Sequence, residues 1–261
     1  MRRSRIRLPQ VSSASIRPAA NRKNRNNMKI GVVGIGDLTS GKTNLFDNRI
    51  DTLGKILASP KQVYIQLEII CDNEKIKEAE GIICLESAKL DLIINDLEFV
   101  ETRLDRCGDG LEKTLLIRFK EQLDKEGLLS GLVLSDEEKA IVSGYPLLTY
   151  KPVFFATQKD LEDRQRLLMS AYSSFGYISF FTSNEKEVRG WSLKKGSNAW
   201  DAAGCIHTDI QKGFIRAEVV SYQDIINDAG LSQARHNNHI RLENKDYIVC
   251  DGDYILFRFN R

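Results

Sequence analysis

Eight consecutive residues, Gly36-Asp37-Leu38-Thr39-Ser40-Gly41-Lys42-Thr43, match the spacing G-x-x-x-x-G-K-[ST]. A loop of that kind surrounds phosphate oxygens with backbone amides. Gly36 and Gly41 would give the turn, Lys42 a point charge, and the Thr43 hydroxyl a ligand for Mg²⁺. The expected cofactor, if any, is ATP or GTP with Mg²⁺. Hydrolysis asks for more: an acid at the end of a neighbouring strand and a mobile segment that senses the terminal phosphate. Asp72 is the candidate acid, but a sensing D-x-x-G would need glycine at 75, where Lys75 stands. No residue is therefore assigned a catalytic role.

The elements that would position this loop are legible on either side. Lys29 to Ile35 reads as a buried strand and Asn44 to Leu57 as a helix. Val63 to Cys71 and Gly81 to Leu85 read as further strands. Strand–helix–strand order implies a parallel α/β sheet. Apolar residues then recur at helical spacing over 88–106 and 111–126, with Cys107-Gly108-Asp109-Gly110 between, the pattern of an antiparallel helical hairpin. Ser135-Asp136-Glu137-Glu138 opens a short helix with a capping box. Pro152 to Ala156 reads as a strand and Leu161 to Phe175 as a helix. Beyond Tyr177 come half-buried strands, a short helix over Asn198 to Ile206, and a strand over Phe214 to Val220. Asp246–Val249 and Ile255–Phe259 read as the last two strands, with Asp251-Gly252 as their hairpin turn.

Charge is unevenly distributed. The 38 Lys and Arg against 36 Asp and Glu give +2 overall, but residues 1–27 hold seven arginines, Lys23 and no acid. The rest of the chain is net acidic, so bulk charge does not draw it to nucleic acid. Residues 1–27 read as a disordered basic tail. A transit peptide, an RNA-binding arm and a start placed upstream of Met28 all fit it. Five scattered cysteines without a C-x-x-C pair favour free thiols in a reducing, cytoplasmic setting. No stretch reaches the ~20 apolar residues of a membrane helix.

The region from Phe180 onward is similar to the TGS-like β-grasp domain (DUF933 type) that closes proteins of the YchF/Obg-related P-loop ATPase family. The resemblance rests on two blocks. One runs through Gly190-Trp191-Ser192-Leu193-Lys194-Lys195-Gly196, Ala202–Asp209 and Lys212–Val219. The other is Glu243–Val249, Asp251-Gly252-Asp253 and Phe257–Asn260. A third, weaker block comprises Met28–Gly34, Asp91–Arg106, Leu134–Lys139 and Leu147–Val153. It extends the resemblance over the chain from Met28. The resemblance implies a reduced P-loop-like α/β domain (28–87 and 146–179), an inserted helical hairpin (88–145) and a TGS-like β-grasp domain (180–261).

Departures from the family pattern fall at the nucleotide site. The phosphate loop between Gly34 and Gly41 is lengthened, the D-x-A-G block expected near Cys71 is absent, and neither anchor of N-x-x-E stands at Gln158 or Leu161. Members are ribosome-associated ATPases that also hydrolyse GTP to differing degrees. The resemblance thus implies a ribosome- or RNA-associated binding or regulatory module with nucleotide binding weak or lost. The alternative is a residual ATP- or GTP-hydrolysing protein. In the β-grasp part, Lys194, Lys195, His207, Asp209, Lys212 and Arg216 are the candidate RNA or partner contacts. His207-Thr208-Asp209 fits equally a helix-end hydrogen-bonding cluster. Trp191 and Trp200 read as core. His236 and His239 sit in an Asn-rich loop without a third metal ligand.

Overall fold

A computed structural model describes residues 27–260. The tail readings for residues 1–26 lie outside the described residues. The chain begins with β1 (Asn27–Val33), β2 (Gly41–Leu45), α1 (Asn48–Ile56), β3 (Gln62–Val63), β4 (Ile65–Ile70) and β5 (Gly81–Leu85). The hairpin follows as α2 (Lys89–Leu104) and α3 (Leu111–Asp124), then α4 (Asp136–Val142). Next come β6 (Val153–Ala156), α5 (Arg164–Ser174), β7 (Tyr177–Ser183), β8 (Val188–Lys194), α6 (Ala199–Ile206) and α7 (Thr208–Lys212). The chain closes with β9 (Phe214–Ser221), α8 (Tyr222–Asn227), α9 (Leu231–His236), β10 (Arg241–Glu243) and β11 (Asp253–Phe259).

Two sheets organise these elements. The first has the order β2-β4-β1-β5-β6. β4, β1, β5 and β6 run parallel, and β2 pairs antiparallel with β4 at the edge. The parallel strands are apolar on both faces, as a sheet covered on both sides must be. Leu167, Leu168, Ala171 and Tyr172 of α5 pack with Ile30, Leu67 and Ile69 on one side. Ile76, Ala79, Ala88 and Leu92 pack with Ile70, Ile82 and Cys84 on the other. The hairpin forms its own core around Val100, Leu115, Leu116, Phe119 and Leu123. It is tied back by Asp96, 2% exposed, which accepts hydrogen bonds from Leu148 N, Thr149 N and Thr149 Oγ1 at 2.6–2.9 Å.

The second sheet has the order β10-β9-β11-β7-β8-β3. β7 and β8 form a hairpin, α6 crosses over, and β11 returns parallel to β7 and antiparallel to β9. α6 lays Ala199 and Ala202 on the face that carries Phe180, Ala217, Val219 and Ile255. The sheet is mixed, with α6 on one face and α1, α8 and α9 over part of the other.

Three expectations are corrected. Asn44 does not begin a helix: Gly41–Leu45 is a strand, and the helix starts at Asn48 behind Asp47, whose side chain accepts from Arg49 N. Asp246–Val249 is not a strand beyond one isolated bridge from Ile248 to Asn198. β10 lies instead at Arg241–Glu243, on the far side of β9 from β11, so Asp251-Gly252 leads into β11 without making a hairpin. Finally, α1 leaves the first sheet. Ile50 and Leu53 pack with Phe181, Val188, Val220 and Tyr254 of the second, and β3 extends that sheet beside β8.

Candidate functional site

The parallel strands of the first sheet point their carboxyl ends at Gly34–Ser40, Asp72, Glu86 and Thr157. Open α/β sheets bind ligands in that region. Here the loop after β1 turns inward. Ile35 and Leu38 are buried in the core beneath it. Ser40 Oγ accepts from Cys71 N at 2.9 Å, and the Cys71 thiol donates to Leu38 O at 3.0 Å. The loop thus closes over the end of β4 with its own side chains.

Gly36 opens this loop and Gly41 starts β2, with φ +143°. Lys42 and Thr43 then follow inside the strand. In register, Gly41, Thr43 and Leu45 stand opposite Ile69, Leu67 and Ile65, whereas Lys42 and Asn44 stand opposite Glu68 and Gln66. Successive residues of a strand face opposite sides of its sheet. The Lys42 amine and the Thr43 hydroxyl therefore diverge, one onto the face of Glu68 and the other onto the face of Leu67. No helix opens at Lys42 to direct amides and a positive dipole end at a phosphate. Gly36–Thr43 in this structure is thus a loop running into a strand, not the loop-to-helix turn that the spacing implies.

Asp72 follows β4 and closes its own turn. Its Oδ1 accepts from Glu74 N at 2.8 Å, and Lys75 Nζ lies 3.6 Å from Oδ2. The Glu74 N–H, helped by Lys75, holds the Asp72 carboxyl below the usual carboxylate range. At the end of β6, Asp160 caps another turn through Thr157 N and Thr157 Oγ1, at 2.8 and 2.7 Å. Gln158 and Leu161, where the anchors of N-x-x-E are missing, fall in that same short 3₁₀ turn.

The candidate contacts on the second sheet do not form one surface. Lys194 folds back, donating to Phe175 O at 3.1 Å with its amine 4.4 Å from the Tyr177 ring centroid. Lys195 is exposed in the turn that follows β8. His207 is the N-cap of α7, its Nδ1 accepting from Asp209 N at 3.1 Å; Lys212 ends that helix. Arg216 lies on the other face of the sheet, opposite Arg258 in register.

Trp191 is half-buried. Its Nε1 donates to Thr182 Oγ1 at 2.9 Å, Phe180 stacks against it and the Arg189 guanidinium lies over its ring. Trp200, read as core, is at the surface with 36% exposure, because it sits in the first turn of α6 with that helix buried through Ala199, Ala202 and Ala203. His239 Nδ1 pairs with Asp228 at 2.7 Å. Among the described residues no group of His, Cys, Asp and Glu is arranged to hold a metal ion. No described helix is long and apolar enough to cross a membrane.

Comparison with known proteins agrees with this architecture. Residues 177–260 match the family YchF-GTPase_C, described as a protein of unknown function (DUF933). The chain is 30% identical over 254 residues to the ribosome-binding ATPase YchF of Escherichia coli O157:H7, covering 74% of this chain and 69% of that protein. It is 29% identical over 241 residues to the protein of the same name from Bacillus subtilis, covering 67% of this chain and 66% of the relative. The solved structure of the Schizosaccharomyces pombe YchF GTPase superposes with a TM-score of 0.70 at 18% identity, over 89% of this chain and 98% of that one. Sequence 30% identical to a relative of which the chain covers more than two thirds, together with a superposable fold, places this protein in the YchF family.

Proposed function

We propose that this chain is a ribosome-associated binding module of the YchF family that neither holds nor hydrolyses a nucleoside triphosphate at Gly36–Thr43. The observation that carries the reading is the strand conformation of Gly41–Leu45, which sends Lys42 and Thr43 to opposite faces. A lysine and a hydroxyl that diverge cannot meet one terminal phosphate and its Mg²⁺. Asp72 and Asp160, the acids at neighbouring strand ends, are engaged in their own turns. Association with the ribosome is drawn from the relatives, whose names describe them as ribosome-binding. The hairpin and the closing β-grasp domain are the parts of this chain that would make such contacts.

Two measurements test the two halves of the proposal. Thermal unfolding with ATP·Mg²⁺ and GTP·Mg²⁺ is expected to leave the midpoint unchanged, since a ligand that binds only the folded state must raise it. A shift abolished by Lys42→Ala would restore the hydrolase alternative. Co-sedimentation with ribosomal particles at low salt is expected to carry the protein into the pellet, with or without residues 1–26. A protein that stays in the supernatant refutes ribosome association.

A further inference from the structure

The face of the second sheet opposite α6 is covered only in part. Towards β8 it is buried under α1, α8 and α9 by Phe181, Val188, Val220 and Tyr254. Towards β10 it opens to solvent. In register, Leu242 of β10, Glu218 of β9 and Leu256 of β11 form one row across the sheet, and Arg216 and Arg258 form the next. Leu242 is 60% and Leu256 47% exposed, whereas Glu218 between them is 5% exposed. Arg258 Nε and Arg235 Nη2 each donate to Glu218 at 2.6 Å. Both arginines remain more than half exposed at the side chain.

This arrangement has the features of a binding surface. The buried carboxylate fixes two guanidinium groups by one edge each and leaves their other donors directed at solvent. An arginine held in this way loses little freedom on meeting a second carboxylate. Arg216, exposed beside Arg258, makes no ion pair among the described residues. Three arginines around one glutamate leave the patch positive, in a chain whose remainder beyond residue 27 is net acidic. Two exposed leucines, one on each side of Glu218, add apolar surface that phosphate recognition does not require. Arginine is among the residue types enriched at protein–protein contact sites. The basic segment 1–26 of this chain has the wrong sign to cover the patch.

We propose that the open face formed by Arg216, Arg235, Arg258, Leu242 and Leu256 docks an acidic, leucine-bearing segment of a partner protein. Its carboxylates pair with the arginines while its leucines cover Leu242 and Leu256. The β10 edge beside them has no strand partner among the described residues, so the segment has room on that side. This inference goes beyond ribosome association and stands or falls separately from it.

The test uses the full chain and three fluorescent probes: a short Glu/Leu peptide with leucines at helical spacing, a Glu/Ser peptide of equal charge, and oligouridine. The Glu/Leu peptide is expected to bind best by fluorescence anisotropy. Arg216→Glu and Leu256→Ser are expected each to weaken it on the order of tenfold, the scale of losing one charged or one well-packed anchor. Neither side chain bonds Glu218, and an unchanged circular dichroism spectrum confirms that each variant is folded. Equal binding of the two peptides, binding untouched by both variants, or preference for oligouridine lost in Arg216→Glu would each overturn the proposal.

Discussion

Arg49 and Asp251, 202 residues apart in the chain, are joined by a hydrogen bond of 2.7 Å from Nη1 to Oδ2. The same guanidinium closes on Asp47 through Nε and Nη2 at 2.8–3.0 Å, and lies over the Phe181 ring. Asp251 in turn accepts from Ser179 N at 2.8 Å. One arginine thus links the N-cap of α1 to the turn that leads into the last strand. The contact thus pins α1, which packs in the core of the second sheet, to the start of that sheet's last strand.

Removing the Arg49 side chain leaves Asp47, 6% exposed, without its guanidinium and with only the N–H of residue 49 on its carboxylate. Arg49→Ala is expected to cost about 3 kcal/mol, the scale of an uncompensated buried charge. Asp251 is half exposed at its side chain, so Asp251→Ala is expected to cost about 1 kcal/mol. Urea denaturation measures both. Because α1 and β3 belong to the core of the second sheet, wild type should unfold in one transition. Equal losses for the two variants would contradict the asymmetry argued here.

The same junction shows what the sequence reveals and what it conceals. β1, β5 and the α2–α3 hairpin announce themselves because apolar spacing and burial coincide along one element. β2 does not. Its Gly-Lys-Thr start fits a helix entry as a string, and its conformation is decided by pairing with β4, whose facing residues lie 20 to 28 positions on. Asp47-Asn48 was the local signal that the helix begins later, as an N-cap aspartate. Arg216 and Arg258 were equally hidden as neighbours, since register across β9 and β11 depends on tertiary packing.

Gly34 illustrates a residue whose place in a motif and whose physical role differ. Its φ is +76°, and a Cβ there would stand 2.4 Å from Ala88 Cβ. Gly34→Ala is therefore expected to destabilise the fold by about 3 kcal/mol through backbone strain and overlap with Ala88. Adding Ala88→Gly removes the overlap but not the strain, and should recover part of the loss in thermal midpoint. If the double variant is no more stable than Gly34→Ala, the overlap is not the cause.

The hairpin depends on Asp96 in a similar way. Its carboxylate satisfies two buried amides and one hydroxyl in the returning chain. Asp96→Ala should cost about 3 kcal/mol, because the donors of Leu148 and Thr149 are left without acceptors. Hydrogen exchange provides the specific readout. The Leu148 and Thr149 amides should lose protection in the variant while amides of β1 and β4 keep theirs. Uniform loss across all of these would mean a global effect instead of a released anchor.

Glu218 gives the acid response a defined sign. Burial pushes its carboxyl up, but the hydrogen bonds from Arg235 and Arg258 outweigh burial and hold it below the ordinary value. The unfolded chain therefore takes up this proton at higher pH than the folded one. The contribution of Glu218 to stability is present above its unfolded value of about 4.3, and is lost as pH falls through the lower folded value. Glu218→Gln should lack that step, so the stability gap between wild type and variant narrows as the solution is acidified from neutral to about pH 3. Arg216→Glu, which leaves both Glu218 hydrogen bonds in place, should keep the step. Urea midpoints measured across this range decide it: a gap that widens on acidification would show that Glu218 is not held as a carboxylate by the two arginines.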